Sequence, residues 1–234
     1  MFLFSAIEHG QCAAVHQWHR GFAGANRAIA PRDYDFFELL AWDGCVWAAM
    51  SDEGDFLALA YAAFDEDEAV CEIGGLMVDV RYRGNGLGST VARLALCHAL
   101  VSENLLAVPG VRIIARVLRE PQEMADAHAQ ERRFTIIEDV LRFRHARQYA
   151  LQNGEIENLV CDDGFFVVDE YEMVIPDTIA ALADWARSWT GFVGGDKPAL
   201  VEFHDGVDMA LWTQALERML LEHPGTGAGQ GAGD

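Results

Sequence analysis

Lysine is all but missing from this chain. Lys197 is the only one in 234 residues, and arginine supplies the rest of 17 basic positions against 37 acids, for a formal net charge of -20. So negative a surface excludes a general grip on nucleic acid or on anionic membranes, both of which need positive potential. With no lysine after its glycines, the chain also has no Walker phosphate loop, which must close in Gly-Lys-Ser/Thr. Cysteine is sparse: five residues, at 12, 45, 71, 97 and 161, an odd number with no Cys-x-x-Cys pair, so a reduced, cytoplasmic chain is expected. No run of 18 apolar residues exists, so no membrane span is expected, and Met1–Ser5 lacks the basic region of a signal peptide. There is no Gly-x-Ser-x-Gly elbow, and His16 and His19 stand a helical turn apart without a carboxylate or thiol at ligand spacing, so neither a serine hydrolase nor a metal is indicated.

Apolar residues make up 51% of the chain, enough for one substantial core with a small appendage. The acids are unevenly spread. Residues 80 to 102 hold three arginines and no Asp or Glu, where an even distribution would put about 3.6 acids. That window opens on Arg81-Tyr82-Arg83-Gly84-Asn85-Gly86-Leu87-Gly88-Ser89, a glycine-rich turn between an apolar strand and a long helical run. Backbone N–H groups at Gly84, Gly86 and Gly88 can converge on an anion at the N-terminus of the helix that follows, where the macrodipole also favours negative charge. The glycines fall as Gly-x-Gly-x-Gly, so the dinucleotide fingerprint Gly-x-Gly-x-x-Gly is not met.

What fits is Arg/Gln-x-x-Gly-x-Gly/Ala, carried by Arg83, Gly86 and Gly88 behind the strand end Leu76-Met77-Val78. This arrangement resembles the coenzyme A pyrophosphate loop of the GNAT acyltransferase superfamily, and the stretch Glu72 to Gly88 matches the family's strand, loop and helix start.

The order of elements agrees with that resemblance. Periodicity predicts a strand at 2–7, helices at 11–22 and 31–40, three meander strands at 45–50, 56–64 and 70–78, the helix at 86–102 and a strand at 111–118. Acidic turns at 52–55 and 65–68 separate the meander strands. Beyond Pro121, residues 122–133 and 134–152 read as helices, an enlarged insert, and 156–161 and 165–175 as two strands around Asp162-Asp163-Gly164. An extension follows at 177–223: a helix capped by Asp177, a short strand at 199–203, and an amphipathic helix at 208–223 whose stripe of Leu211, Trp212, Ala215 and Met219 suits core or a homodimer contact. The Gly/Ala-rich tail 224–234 is expected to be disordered. The whole reads as an α/β fold with a mixed, mostly antiparallel sheet whose central strands splay apart, flanked by helices, over residues 1–176.

The resemblance implies acetyl-coenzyme A as acyl donor and an N-acetyltransferase that passes the acyl group directly to an amine. It places the cofactor on Leu76, Met77, Val78, Arg83, Gly84, Asn85, Gly86, Leu87, Gly88 and Ser89. Splaying needs a break in the ladder, and Gly74-Gly75 is where a bulge would supply one; crowding by a neighbouring helix is the other reading of that pair. The acceptor must lose a proton, and Glu72 is the candidate base. Plain alternation puts Glu72, Gly74, Leu76 and Val78 on one face, a phase that a bulge would shift. The Tyr that many members carry four residues before a Gly-Phe pair is replaced here by Val160, ahead of Gly164-Phe165. Cys161 is then the nearest group able to reprotonate a thiolate, with Tyr171 more remote. The family's frequent Asn after the fifth strand is missing, Glu120-Pro121-Gln122 standing there. An acidic surface suits a cationic small molecule or a basic peptide as acceptor. The rival reading is a coenzyme A-binding regulatory or assembly protein without transferase activity.

Overall fold

Asp33 begins the second helix by accepting the backbone N–H of Phe36 at 2.8 Å, and Asp208 begins the last by accepting those of Ala210 and Leu211. Such local signals set much of the element order in the computed structural model, which describes residues 1–24, 29–119, 135–152, 165–193, 199–203 and 207–223. The strands are β1 (Phe2–Ala6), β2 (Val46–Ser51), β3 (Phe56–Asp65), β4 (Val70–Val78), β5 (Arg112–Arg119), β6 (Phe143–Gln152), β7 (Phe165–Met173), β8 (Phe192–Val193) and β9 (Ala199–Phe203). The helices are α1 (Cys12–Gly24), α2 (Tyr34–Trp42), α3 (Leu87–Val101), α4 (Ile175–Arg187) and α5 (Met209–Glu222). No helix among the described residues is long and apolar enough to cross a membrane.

The strands form one sheet in the order β6-β7-β5-β4-β3-β2-β1-β9-β8, with β4–β5 and β1–β9 parallel and the other pairs antiparallel. Strand alternation divides the core. Trp47 and Ala49 of β2 join the cluster built on Leu87, Val91, Leu94 and Leu100 of α3, whereas Val46 and Ala48 join Cys12, Val15, Phe37 and Leu40 from α1 and α2. Each fully buried Leu or Phe contributes about 1.5–3 kcal/mol relative to exposure. Ile179, Leu182 and Ala183 of α4 and Trp212, Leu216 and Met219 of α5 belong to the α3 cluster. The segment beyond Pro176 thus packs on the same core, and β9 lengthens the sheet beside β1. Of the expected α5 stripe, Trp212, Ala215 and Met219 are buried and Leu211 is exposed.

Three expectations are corrected. Residues 134–152 are not one helix: a π-helical turn at Ile136–Val140 gives way to β6. Helix-favouring Ala, Arg and Gln mislead there, because Arg142 takes a left-handed φ of 61° that ends helical winding and β6 then pairs along its length with β7. Arg147 meets Glu170, and Gln148 and His145 meet Asp169, across those strands. The partner of β7 is therefore 143–152. The strand expected at 156–161, the turn at 162–164, the helix at 122–133 and the tail at 224–234 lie outside the described residues. Finally, Asp177 sits inside the first turn of α4, which starts two residues earlier at Ile175 with Pro176 in that turn, and it pairs with Arg144 rather than capping.

Candidate active site

β4 pairs with β5 only through Val70, Cys71 and Glu72, after which β5 runs on with β7 and the two central strands part. The parting coincides with a bulge in β4. Leu59 of β3 opposes Met77 while Tyr61 opposes Gly74, so two steps on β3 face three on β4, and Gly75 takes a φ of 61°. The expected break is present at the expected glycines. It also reverses the side-chain phase. Cys71 and Ile73 face the α3 cluster before the bulge, Leu76 and Val78 after it, while Met77 joins the α1–α2 side. Plain alternation over Glu72, Gly74, Leu76 and Val78 is thus corrected: Glu72 looks away from the face that Leu76 and Val78 pack on.

Both glycines are also crowded, by a tyrosine and not a helix. A Cβ on Gly74 would stand 2.7 Å from Cε2 of Tyr61, and one on Gly75 would overlap the same ring. Tyr61 is buried, and burial, reinforced by the charge of Glu72, pushes its hydroxyl up to about 12.

Two contiguous cavities follow the split, sharing Ile29, Leu76 and Ile136. The first, about 300 Å³, is lined by Leu76, Met77, Val78, Arg83, Gly84, Gly86, Leu87, Gly88 and Ser89, nine of the ten residues expected to hold the cofactor, with Phe22, Tyr82 and Val140 closing it. Asn85 sits in the turn between Gly84 and Gly86 but does not line the cavity. Gly84 and Gly86 have φ of 85° and 76°, and Gly86 caps α3 without any side-chain hydrogen bond to the first-turn N–H groups. Ser89 and Thr90 turn their hydroxyls back to the Gly86 carbonyl, so the donors at the helix start stay available to an anion. At Gly88 a Cβ would come within 2.9 Å of Val78 Cγ2, so glycine there lets α3 approach β4. A left-handed turn, an uncapped helix start and a close strand–helix approach fit a pyrophosphate. Arg83 orients into this wall with Nε donating to the Val78 carbonyl at 3.3 Å. Arg81 is otherwise engaged: it folds onto Asp79 at 2.7 Å, and the hydrogen bond from Arg81 holds that carboxyl below its ordinary range. Arg93, the third arginine of the acid-free window, lies under the ring of Trp185, away from the loop.

The second cavity, about 280 Å³, reaches from Gly74, Gly75 and Leu76 to Arg32, Tyr61, Glu72, Arg116 and Tyr149. Glu72 is clasped: Arg32 Nη2 donates to Oε1 at 3.4 Å and Arg116 Nη1 to Oε2 at 2.9 Å. Arg32 Nε also donates to the Tyr61 hydroxyl at 3.1 Å. Behind Arg116, Glu170 is fully buried. Burial alone would raise its pKa, but hydrogen bonds from Arg147, Arg112 and Arg116 prevail and hold it at about 2.

Tyr171, the remote candidate acid, is buried in the α3 cluster against His145 and lines neither cavity, and Cys161 lies outside the described residues. Tyr149, Arg32 and Arg116 were not singled out from the sequence. Tyr149 and Leu151 reach the cavity from alternate positions of β6, a period of two hidden by the helical reading of that segment.

Residues 12–108 match the model of the acetyltransferase (GNAT) family. NAA60 of Arabidopsis thaliana, solved in complex with a bisubstrate analogue, superposes with a TM-score of 0.51 at 15% identity, over 74% of this chain and 97% of its own. For yncA of Salmonella typhimurium, solved with its cofactor acetyl-CoA, the TM-score is 0.50 at 16% identity, over 74% and 93%. At such identities the likeness is one of fold. No curated protein matches the sequence.

Proposed function

Residues 12–108 match the acetyltransferase (GNAT) family model, and on that likeness we propose that the chain is an acyl-coenzyme A-dependent N-acyltransferase, in the first place an N-acetyltransferase, that passes the acyl group directly to an amine. The observation that carries this reading is the parting of β4 from β5 beyond Glu72, beside an uncapped helix start that can take a pyrophosphate. Acyl-coenzyme A, when bound, supplies a thioester carbonyl open to nucleophilic attack.

The chain's own groups then have separable tasks. Gly84, Gly86, Leu87, Gly88 and Ser89 hold the phosphates with backbone N–H groups, and Arg83 adds positive charge. The β5-facing edge of Leu76, Met77 and Val78 lends main-chain donors and acceptors to amides laid along it, and one N–H there can donate to a carbonyl oxygen as negative charge develops. An amine reaches the cleft as ammonium, which the acidic surface favours and which suits a cationic small molecule or a basic peptide. Glu72 accepts the amine's proton on a carboxylate lone pair left by Arg32 and Arg116. A proton must return to the leaving sulfur. Tyr149, whose hydroxyl is pushed up mainly by burial and so stays protonated near neutrality, lines the same cavity, and Cys161 is the other donor.

A regulatory coenzyme A-binding protein is the second reading. It is favoured by Val160 where the family's tyrosine would stand and by the double clasp on Glu72. Calorimetry with acetyl-coenzyme A, followed by an amine screen that monitors free thiol, separates the two. Binding with thiol release supports transfer, binding without release supports the regulatory protein, and no binding sinks both.

A further inference from the structure

Four guanidiniums, of Arg32, Arg112, Arg116 and Arg147, share three carboxylates, of Glu72, Glu170 and Glu172, so this linked group of residues carries a surplus positive charge inside a protein whose formal net charge is -20. Two of the four, Arg32 and Arg116, line the cavity beyond the glycine bulge. Arg32 uses Nε and Nη2 on Tyr61 and Glu72, and Arg116 uses Nε and Nη1 on Glu170 and Glu72. Nη1 of Arg32 and Nη2 of Arg116 have no hydrogen-bond partner among the described residues. Both side chains remain partly exposed, at 27% and 35%, and both are anchored, so their planes are set before anything binds. Around them the wall is apolar, with Ile29, Leu118, Leu151 and Val168.

Resting on the transferase reading, we propose that the acceptor is an α-amino acid with an apolar side chain, and that Arg32 and Arg116 hold its carboxylate while Ile29, Leu118, Leu151 and Val168 hold the side chain. The acidic surface and the cationic cleft then act at different ranges. Surface charge draws in the ammonium end, but it is screened over roughly a Debye length of about 8–10 Å, whereas the two arginines act at contact. A diamine would bring a second positive charge against them. A zwitterion satisfies both fields.

The test uses L-leucine, L-methionine and L-phenylalanine, each beside its carboxamide, which keeps the amine and side chain and loses only the negative charge. Their binding to the protein saturated with coenzyme A is measured by calorimetry, and turnover with acetyl-coenzyme A by free thiol. At least one acid is expected to bind about thirtyfold more tightly than its amide, the scale of a lost hydrogen-bonded charge. In Arg32→Gln and in Arg116→Gln that ratio should fall below about threefold, through the acid's KM or Kd. Arg32→Gln is the safer variant, since Arg116 also supports buried Glu170; circular dichroism confirms folding of each. Preference for the acid without thiol release supports the anion site and sinks the transferase reading. Turnover with acid and amide used equally, or with diamines preferred, overturns the inference and leaves the transferase. Failure of all three acids to bind overturns it as well.

Discussion

The ring of Tyr61 occupies the space that a side chain on Gly75 would need. Ring and bulge therefore specify each other: the bulge at φ 61° makes room for the tyrosine, and the tyrosine blocks any return to plain alternation. On this pair depends the outward turn of Glu72 into the cleft, opposite to Leu76 and Val78.

Gly75→Ala is expected to destabilise the fold by about 2–4 kcal/mol, from the left-handed conformation and from overlap with the ring. Tyr61→Ala in the same chain should recover part of that loss, since it removes the overlap but not the strain. Chemical denaturation of both variants measures this. Additive losses in the double variant would show that the two residues are not coupled.

Gly88→Ala should weaken acetyl-coenzyme A binding by about tenfold. Its Cβ would stand 2.9 Å from Val78 Cγ2, so α3 must shift off β4 and carry its N-terminal donors with it. Calorimetry reads the change. An unaltered Kd would mean that the helix start does not hold the cofactor.

For Glu72→Gln, kcat should fall by about 100-fold while acetyl-coenzyme A binding stays the same, the loss being that of a general base. The amide keeps an oxygen for one of Arg32 and Arg116, so gross collapse of the clasp is not expected. An unchanged kcat removes Glu72 as the proton acceptor.

Tyr149→Phe keeps the ring against Arg147 and removes the hydroxyl, and kcat should drop about tenfold or more with little change in KM. If it does not, and Cys161→Ser slows the reaction instead, the proton returns from the segment between β6 and β7.

His19 supplies a prediction on pH. Burial, then the charges of Arg32 and His16, holds it down at about 4 against an ordinary 6.5. Between those values the unfolded chain binds a proton that the folded chain refuses, so the folded state has its full stability above pH 6.5 and loses it as pH falls toward 4. Nδ1 has no hydrogen-bond partner among the described residues, and the ring packs on Phe37, so His19→Phe should be tolerated. Its Tm should fall less steeply than that of the wild type between pH 6.5 and 4.5. Parallel curves would rule out His19 as a source of acid lability.

Where a feature depends on neighbours in sequence, the chain could be read directly. Gly84, Gly86 and Gly88 are needed by backbone conformation and close approach at their own positions, so the loop was recognisable, and Gly74-Gly75 marked the bulge for the same reason. The acid-free window was less reliable. It starts one residue after Asp79, the group that neutralises Arg81, and it includes Arg93, which belongs to the contact with Trp185. A linear count of charge does not register which side chains meet.

β6 was misread because Ala, Arg and Gln suit a helix, while the acids that turn the segment into a strand, Asp169 and Glu170, lie more than twenty residues on. With that strand misplaced, Tyr149 could not be assigned to the cleft. Periodicity and glycine spacing, which are properties of local backbone geometry, were enough to establish the strand, the glycine-rich turn at the start of α3 and the order of elements through β5. The clasp of Arg32 and Arg116 on Glu72 joins residues 40 and 44 positions apart, from the approach to α2, from β4 and from β5. Such an arrangement exists only once the sheet has brought those segments together, because ion pairs act over a few ångströms of space and leave no periodic trace in the chain. For that reason the proposed donor end of the site was legible in the sequence, and the charge around the proposed acceptor end came from the fold.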